Sequence, residues 1–157
     1  MKRRLVALLL FLSAASALAG DFRPFGRGSW QHLRAAHAGK PTIVHFWGLT
    51  CAPCLAELPE WGKLVKQRRD FEFVLIVADP VPEEPRQMMA TLTKAGLGSV
   101  ENWMFADRFA DRLRFEIDPN WAGELPLTLL MARDGQTTSA LGTVDFATVR
   151  SWLDAQR

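Results

Sequence analysis

The sequence predicts an α/β domain with a central mixed β-sheet and helices on both faces. Two observations predict this class. Short apolar runs typical of strands alternate with amphipathic helical segments along most of the chain, and strands linked by helices pair in parallel. Near the C-terminus, an Asp134-Gly135 turn signal joins two strand segments directly, which adds an antiparallel pair. The length of 157 residues fits one domain.

The composition is that of a globular protein, with 48% hydrophobic and 23% charged residues. It excludes a disordered chain, a collagen-like chain and a miniprotein held by many disulfides. The chain contains two cysteines, Cys51 and Cys54. Two thiols cannot fill a four-thiolate zinc site, so the question is what one CxxC motif does.

The first 19 residues have the pattern of a secretory signal peptide. Three basic residues at 2–4 precede an apolar run at 5–12, and Ala17-Leu18-Ala19 fits the cleavage site. We therefore expect a signal peptide at 1–19 and a single domain at 20–157. An uncleaved membrane anchor stays open as an alternative, although the 15 residues from 5 to 19 fall short of the ~20 that span a bilayer.

Export would bring the domain to the periplasm, where disulfides form and persist. Cleavage removes three of the 19 basic residues and none of the 17 acidic ones, which leaves a net charge of −1. The basic character of the full chain therefore belongs to the leader and does not indicate a nucleic-acid partner.

The first half of the domain reads as a lead-in, a helix, a strand and a helix. Residues 21–28 are irregular, Ser29 is the expected cap of a helix to Ala38, and 42–47 is a buried strand. The next helix begins near Cys51. Its apolar face carries five side chains at helical spacing: Cys54, Leu55, Leu58, Trp61 and Val65.

The second half adds a strand at 71–78, a proline-rich loop at 79–85 and a helix at 86–95 closed by Gly96. A short strand at 103–106 and a short helix at 107–114 follow. Strands at 127–132 and 136–141 flank the Asp-Gly turn, and Asp145 is the expected cap of the last helix.

The two cysteines differ in their expected environments. Cys51 falls at the first helical turn, where unpaired backbone N–H groups and the helix dipole favour a thiolate. Cys54 lies one turn further, toward the apolar face. We therefore expect an exposed Cys51 that attacks a disulfide and a buried Cys54 that resolves the mixed disulfide. Pro53 between them lacks an N–H, and its fixed φ suits a first turn.

Other interpretations of the CxxC motif are an inert disulfide and half of a metal site. A disulfide across so small a loop adds little entropic stability. A zinc site would recruit His32 and His37, but five residues on a helix separate them by about 140° around the axis. His45 alternates with apolar residues in its strand, which favours a core histidine over a ligand.

Two segments resemble TlpA-like proteins, the exported thioredoxin-fold thiol–disulfide oxidoreductases. Residues 46–59 (FWGLTCAPCLAELP) are similar to the active-site segment of that family, and 121–130 (WAGELPLTLL) to the segment facing its CxxC. Together with their spacing, these matches extend over most of residues 40–157. The resemblance implies a thioredoxin-like fold.

The resemblance also implies roles for particular residues. Pro126 is the expected cis-proline, and the backbone of Leu125 would pair with an extended substrate segment. Glu57, one turn after Cys54, would shuttle the proton of the buried thiol and have its own pKa raised by desolvation. Trp47 is expected to pack beside the site. The candidate catalytic residues are thus Cys51, Cys54 and Glu57, and the candidate substrate-binding residues are Trp47, Pro53, Leu125 and Pro126.

The chain departs from the family pattern at one position. Thr50 stands where the family has tryptophan before the first cysteine, so a large apolar shield is missing. The charge of Glu124, close to the expected cis turn, is a candidate for discriminating between partners.

The favoured function is that of an exported reductant of protein disulfides, without a cofactor. The resemblance implies protein partners with thiols or disulfides and an inner-membrane electron donor, and we expect a monomer. Members of the family serve cytochrome c maturation, copper-centre assembly or rescue of oxidised thiols. Oxidants share the motif, so the direction of electron flow depends on the reduction potential. The alternative is a Cu(I)-binding metallochaperone on the same fold, since soft thiolates suit Cu(I).

Overall fold

A computed structural model describes residues 22–78 and 85–157 of the chain. The expected signal peptide and all of the expected loop at 79–85 except Pro85 lie outside the described residues. The strands are β1 (Arg23–Phe25), β2 (Thr42–Trp47), β3 (Glu72–Val77), β4 (Glu101–Phe105), β5 (Leu127–Met131) and β6 (Thr137–Leu141). The helices are α1 (Ser29–Ala36), α2 (Ala52–Gln67), α3 (Pro85–Lys94), α4 (Ala110–Ile117) and α5 (Phe146–Asp154).

The strands form one six-stranded mixed sheet in the order β1-β4-β3-β2-β5-β6. The pairs β1–β4, β4–β3 and β3–β2 are parallel, and β2–β5 and β5–β6 are antiparallel. The mixed sheet expected from the sequence is confirmed. The carboxyl ends of parallel strands lie at the same edge of the sheet. Cys51 follows the carboxyl end of β2, so it lies at the edge where the antiparallel β5 begins.

Apolar side chains pack on both faces of the sheet. On one face, helices α2, α3 and α5 cover a cluster that contains both cysteines, Trp47 and Trp61. On the other face, α1 and α4 cover a cluster around Phe25, Phe46 and Trp121. Alternate residues of β2 contribute to the two clusters, as the period of a strand requires. Helices on both faces were expected and are observed.

Three local expectations were wrong. The lead-in contains a strand, β1, which pairs in parallel with β4 and buries Phe25 completely. Helix α4 begins at Ala110 rather than 107, because the Asp107 carboxylate accepts a hydrogen bond from the N–H of Phe109 and forms a turn there. Ser29 is not a cap: Gly28 occupies that position at φ +80°, and Ser29 Oγ accepts from the N–H of Gly26.

The caps at the other helices follow the sequence more closely. Asp145 caps α5, with its carboxylate accepting from the N–H groups of Ala147 and Thr148. Among the described residues, no helix has the length and apolar character needed to cross a membrane.

Candidate active site

Cys51 and Cys54 are joined in a disulfide whose Cα atoms lie 5.2 Å apart. The bond lies at the start of α2, directly after the turn that follows β2. Cys51 is the N-cap of the helix, and the backbone N–H of Cys54 donates to Cys51 Sγ across 3.2 Å. The first sulfur therefore receives a hydrogen bond from a helix N-terminus. In the dithiol form, the same donor and the helix dipole would favour a thiolate at Cys51.

The two sulfur-bearing residues differ in exposure, but by less than the sequence suggested. Cys51 has 9% of its surface exposed to solvent, and Cys54 has none exposed. The expectation of an exposed Cys51 is thus corrected: Leu49, Leu55 and Leu125 pack against the cluster to which the disulfide belongs. Cys51 is still the more accessible of the two. Its neighbours in sequence, Thr50, Ala52 and Pro53, are exposed.

Glu57 is buried on α2, one turn after Cys54, with 5% of its surface exposed. Its Oε1 accepts a hydrogen bond from the backbone N–H of Val144 at 2.6 Å, whereas Oε2 has no partner among the described residues. Burial raises the pKa of the Glu57 carboxyl, and the bond from Val144 opposes that rise. A carboxyl with a raised pKa, on the same helix as the buried thiol, is suited to proton transfer.

His45 and Trp47 form the sheet surface beneath α2. His45 is fully buried, its Nδ1 lies 2.9 Å from Thr128 Oγ1, and its ring lies 5.3 Å from that of Trp61. Burial lowers the pKa of His45 to about 3, so the imidazole is neutral. Trp47 is fully buried in the cluster that contains the disulfide. The core interpretation of His45 is confirmed, and the bond to Thr128 ties the strand that precedes the CxxC motif to β5.

The segment that precedes β5 lies at the end of the sheet from which α2 begins, and its Leu125 packs against the cluster that contains the disulfide. The Leu125–Pro126 peptide bond is cis. Phe46 pairs with Leu127 across β2 and β5, and continuing that register places Pro126 next to Trp47. Pro126 is buried, and its carbonyl accepts from the N–H of Gly142. The backbone N–H and C=O of Leu125 have no hydrogen-bond partner among the described residues, so both are free to pair with an extended segment.

Sequence reasoning missed the residues that hold this segment in place. Trp121 Nε1 donates to the backbone oxygen of Glu124 at 2.9 Å, and the Trp121 ring packs 5.0 Å from that of Phe46. Gly123 has φ +108°, and a Cβ there would lie 2.7 Å from Arg114 Nε. The positive φ demanded by the turn was readable from the glycine, but the packing of Arg114 against it was not.

The structure does not bring together the residues of the zinc interpretation. The cysteines are bonded to each other, and His37 Nε2 lies 3.2 Å from Glu101 Oε2 of β4. Within residues 22–78 and 85–157, no three histidine, cysteine, aspartate or glutamate side chains are grouped as a metal site requires. The structure does bring Cys51, Cys54, Trp47 and Leu125 into one cluster, with Pro126 next to Trp47.

The chain matches no protein-family model and no curated protein, but its fold is similar to solved structures. One is a secreted Mycobacterium tuberculosis disulfide oxidoreductase homologous to E. coli DsbE, with a TM-score of 0.61 and 21% identity over 77% of this chain and 85% of that one. A thiol-disulfide isomerase from Corynebacterium glutamicum gives 0.64 and 15% over 78% and 83%. A thiol:disulfide interchange protein of the thioredoxin family from Chlorobium tepidum gives 0.58 and 23% over 78% and 83%.

These similarities confirm the thioredoxin-like fold that the sequence analysis expected.

Proposed function

We propose that the protein is a thiol–disulfide oxidoreductase that exchanges the Cys51–Cys54 pair with protein partners. The observation that carries this function is the placement of the disulfide. It caps a helix, exposes Cys51 more than Cys54, and belongs to the cluster against which Leu125 packs. The backbone groups of Leu125 have no hydrogen-bond partner among the described residues. An inert disulfide would require none of these features. The structurally similar proteins are a disulfide oxidoreductase, a thiol:disulfide interchange protein and a thiol-disulfide isomerase, which also supports the proposal.

The reaction proceeds in two exchange steps. The Cys51 thiolate attacks one sulfur of a partner disulfide, forming a mixed disulfide and releasing the other partner sulfur as a thiolate. The Cys54 thiolate then attacks Cys51 Sγ, which re-forms the internal disulfide and releases the second partner thiolate. Two electrons pass from the dithiol to the partner.

Glu57 accepts the proton that the Cys54 thiol must lose before the second step. Its burial raises its pKa, so the carboxylate is a better proton acceptor than an exposed one. Cys54 itself is fully buried, where a thiolate is disfavoured without a nearby proton acceptor. The Val144 N–H fixes one carboxylate oxygen and leaves the other for the proton.

Partner segments bind in extended form against Leu125 and Pro126, and the exposed Pro53 contributes to the surface around the sulfur atoms. Trp47 is fully buried, so it supports this surface from beneath and does not contact the partner. The N–H and C=O of Leu125 would form two strand-type hydrogen bonds with the partner backbone. Such bonds are independent of the partner sequence. This mode of binding therefore suits an enzyme acting on several proteins.

We further propose an exported, monomeric reductant in the periplasm that receives electrons from an inner-membrane donor. The basic and apolar leader supports export, and the similar Mycobacterium tuberculosis protein is a secreted one. The reduction potential of the Cys51–Cys54 couple tests the direction. A value near the ~−270 mV of thioredoxin supports a reductant, and a value near ~−120 mV supports an oxidant.

Two matched variants test the exchange chemistry. With dithiothreitol as electron source and a disulfide-linked peptide as substrate, Cys51→Ser should abolish reduction above the rate of dithiothreitol alone. Cys54→Ser, reduced beforehand and freed of dithiothreitol, should stop after the first step and accumulate a mixed disulfide with the peptide, visible by mass spectrometry. Full turnover by Cys51→Ser contradicts the proposed function. Titration of the reduced protein with Cu(I) examines the metallochaperone alternative, which requires tight stoichiometric binding.

A further inference from the structure

Glu124 is an exposed carboxylate two residues before Pro126, at the edge of the sheet where Cys51 lies. Its neighbour Leu125 packs against the cluster that contains the disulfide. Glu124 is exposed whereas Leu125 is half-buried, so the carboxylate faces outward while Leu125 faces the cluster. A partner segment lying along Leu125 therefore passes close to this carboxylate.

The backbone that carries Glu124 is held by contacts on both sides. Its carbonyl accepts from Trp121 Nε1, and Trp121 itself is only 7% exposed and lies against Phe46. Gly123 adopts φ +108°, with the Arg114 side chain packed against it. The position of the charge is consequently set by the fold.

The charge of Glu124 is also unpaired within the part of the chain that the structure describes. Arg114, the cation beside Gly123, is engaged by Asp111 at 2.7 Å. The Glu124 carboxylate forms no ion pair with any described residue, so it is available to a bound partner. Its exposed position places it at the rim of the binding surface, where charges influence partner choice and association rate.

We propose that Glu124 determines specificity by favouring partner disulfides flanked by lysine or arginine. This inference rests on the proposed function, because it concerns the choice among substrates of that reaction. Attraction between Glu124 and the flanking cation favours the encounter with Cys51. A flanking cation also lowers the pKa of the partner thiol, which makes that sulfur a better leaving group when Cys51 attacks its neighbour. Two electrons still pass from the Cys51–Cys54 dithiol to the partner disulfide.

Three peptide disulfides of equal length test the inference, with lysine, serine or glutamate on both sides of the cysteine. The measurement is the second-order rate constant for reduction by the reduced full chain, taken at low ionic strength. Leaving-group effects alone also favour the lysine peptide, so the decisive quantity is the lysine-to-glutamate ratio in each variant relative to the wild type. Glu124→Gln should lower this ratio about 2- to 5-fold, the range for one exposed charge pair, and Glu124→Lys should lower it further.

Glu72→Gln is the matched control, because it removes the same charge at the other end of the strands. Glu72 is the first residue of β3 and forms an ion pair with Lys40. This variant should leave the ratio unchanged. Salt at about 0.5 M should reduce the difference between wild type and Glu124→Gln. An identical ratio in wild type and Glu124→Gln overturns the specificity role while reduction of the serine peptide upholds the proposed function. Failure to reduce any of the three peptides contradicts the proposed function itself.

Discussion

The Glu57 carboxylate accepts a 2.6 Å hydrogen bond from the backbone N–H of Val144. Glu57 lies on α2, one turn after Cys54, and Val144 lies in the connection between β6 and α5. Phe146 in the same region packs its ring 4.7 Å from that of Trp61, which follows Glu57 by one turn. The C-terminal part of the domain is thereby tied to the helix that carries the cysteines, through the group proposed to take the Cys54 proton.

Glu57→Gln should slow the resolving step of the exchange. The amide keeps an oxygen for Val144 but cannot take a proton, so Cys54 is deprotonated less readily. We expect a loss on the order of 10²-fold in the rate of mixed-disulfide resolution at neutral pH. Stopped-flow measurement of the second step should show it, with the loss shrinking at high pH because hydroxide then deprotonates the thiol. Glu60→Gln is the control, because Glu60 is the next acidic residue on α2 and forms an ion pair with Lys63. An unchanged resolution rate in Glu57→Gln removes the carboxylate from the mechanism.

The same carboxylate should affect stability in a pH-dependent way. The pKa of Glu57 is raised in the folded state, so the folded protein holds this proton more tightly than the unfolded chain. That contribution to stability is complete below the unfolded-state pKa and is lost as pH rises through the folded-state pKa. Urea unfolding of the oxidised protein should therefore show Glu57→Gln gaining on the wild type between pH 4 and pH 8. Glu57→Ala leaves the Val144 N–H unpaired and should cost about 1–3 kcal/mol. A pH-independent difference between wild type and Glu57→Gln contradicts this account.

His45 should act in the opposite sense. Burial lowers the pKa of His45 to about 3. On acidification, His45 therefore binds a proton in the unfolded chain at pH values where it stays neutral in the folded protein. Its contribution is complete above the unfolded-state pKa near 6.5 and is lost as pH falls toward the folded-state value, with a slope of at most about 1.4 kcal/mol per pH unit. Comparing unfolding of wild type and His45→Gln between pH 7 and pH 5 measures this slope. The exposed His32→Gln is the control. Equal slopes in wild type and His45→Gln would rule the linkage out.

Residues 42–47 show why much of the fold was predictable. Their apolar run identifies β2, and the amphipathic spacing after Cys51 identifies α2, because both patterns are local. Strand β1 carries no such signal: it has three residues, and its pairing partner β4 lies far along the chain. A strand of three residues without an apolar run cannot be found from its own sequence, because only its pairing with β4 defines it.

The site follows the same division between local and distant information. The CxxC motif, its position at a helix start and the proline at 126 were readable from short segments. The partner of Glu57 is a backbone N–H, which every residue except proline has, so no side chain pointed to Val144. The low exposure of Cys51 also escaped prediction, since the cluster that buries it includes residues from distant parts of the chain, and Leu125 packs against that cluster.

Gly62 should be required for the packing of α2 against α3. A Cβ at this position would overlap the carbonyl oxygen of Ala95, which is backbone and cannot swing aside. Gly62→Ala should force the two segments apart and destabilise the protein by about 1–3 kcal/mol, measured by urea unfolding. Gly26→Ala is the control, because no atom lies within 4 Å of a Cβ there. Equal unfolding free energies for the two variants would show that the helices can separate without cost.

Gly123 should matter for substrate binding as well as for folding. Gly123→Ala forces an alanine into φ +108° and drives its Cβ against Arg114, whereas Gly135→Ala has a similar φ of +87° but open space around the Cβ. Both variants should lose about 1–2 kcal/mol of stability from the left-handed backbone. Gly123 lies three residues before Pro126. Gly123→Ala, unlike Gly135→Ala, should therefore displace Leu125 and raise the KM for a peptide disulfide several-fold. Steady-state kinetics of the two variants separates these effects, and an equal KM in both would mean that the support from Arg114 does not position the segment.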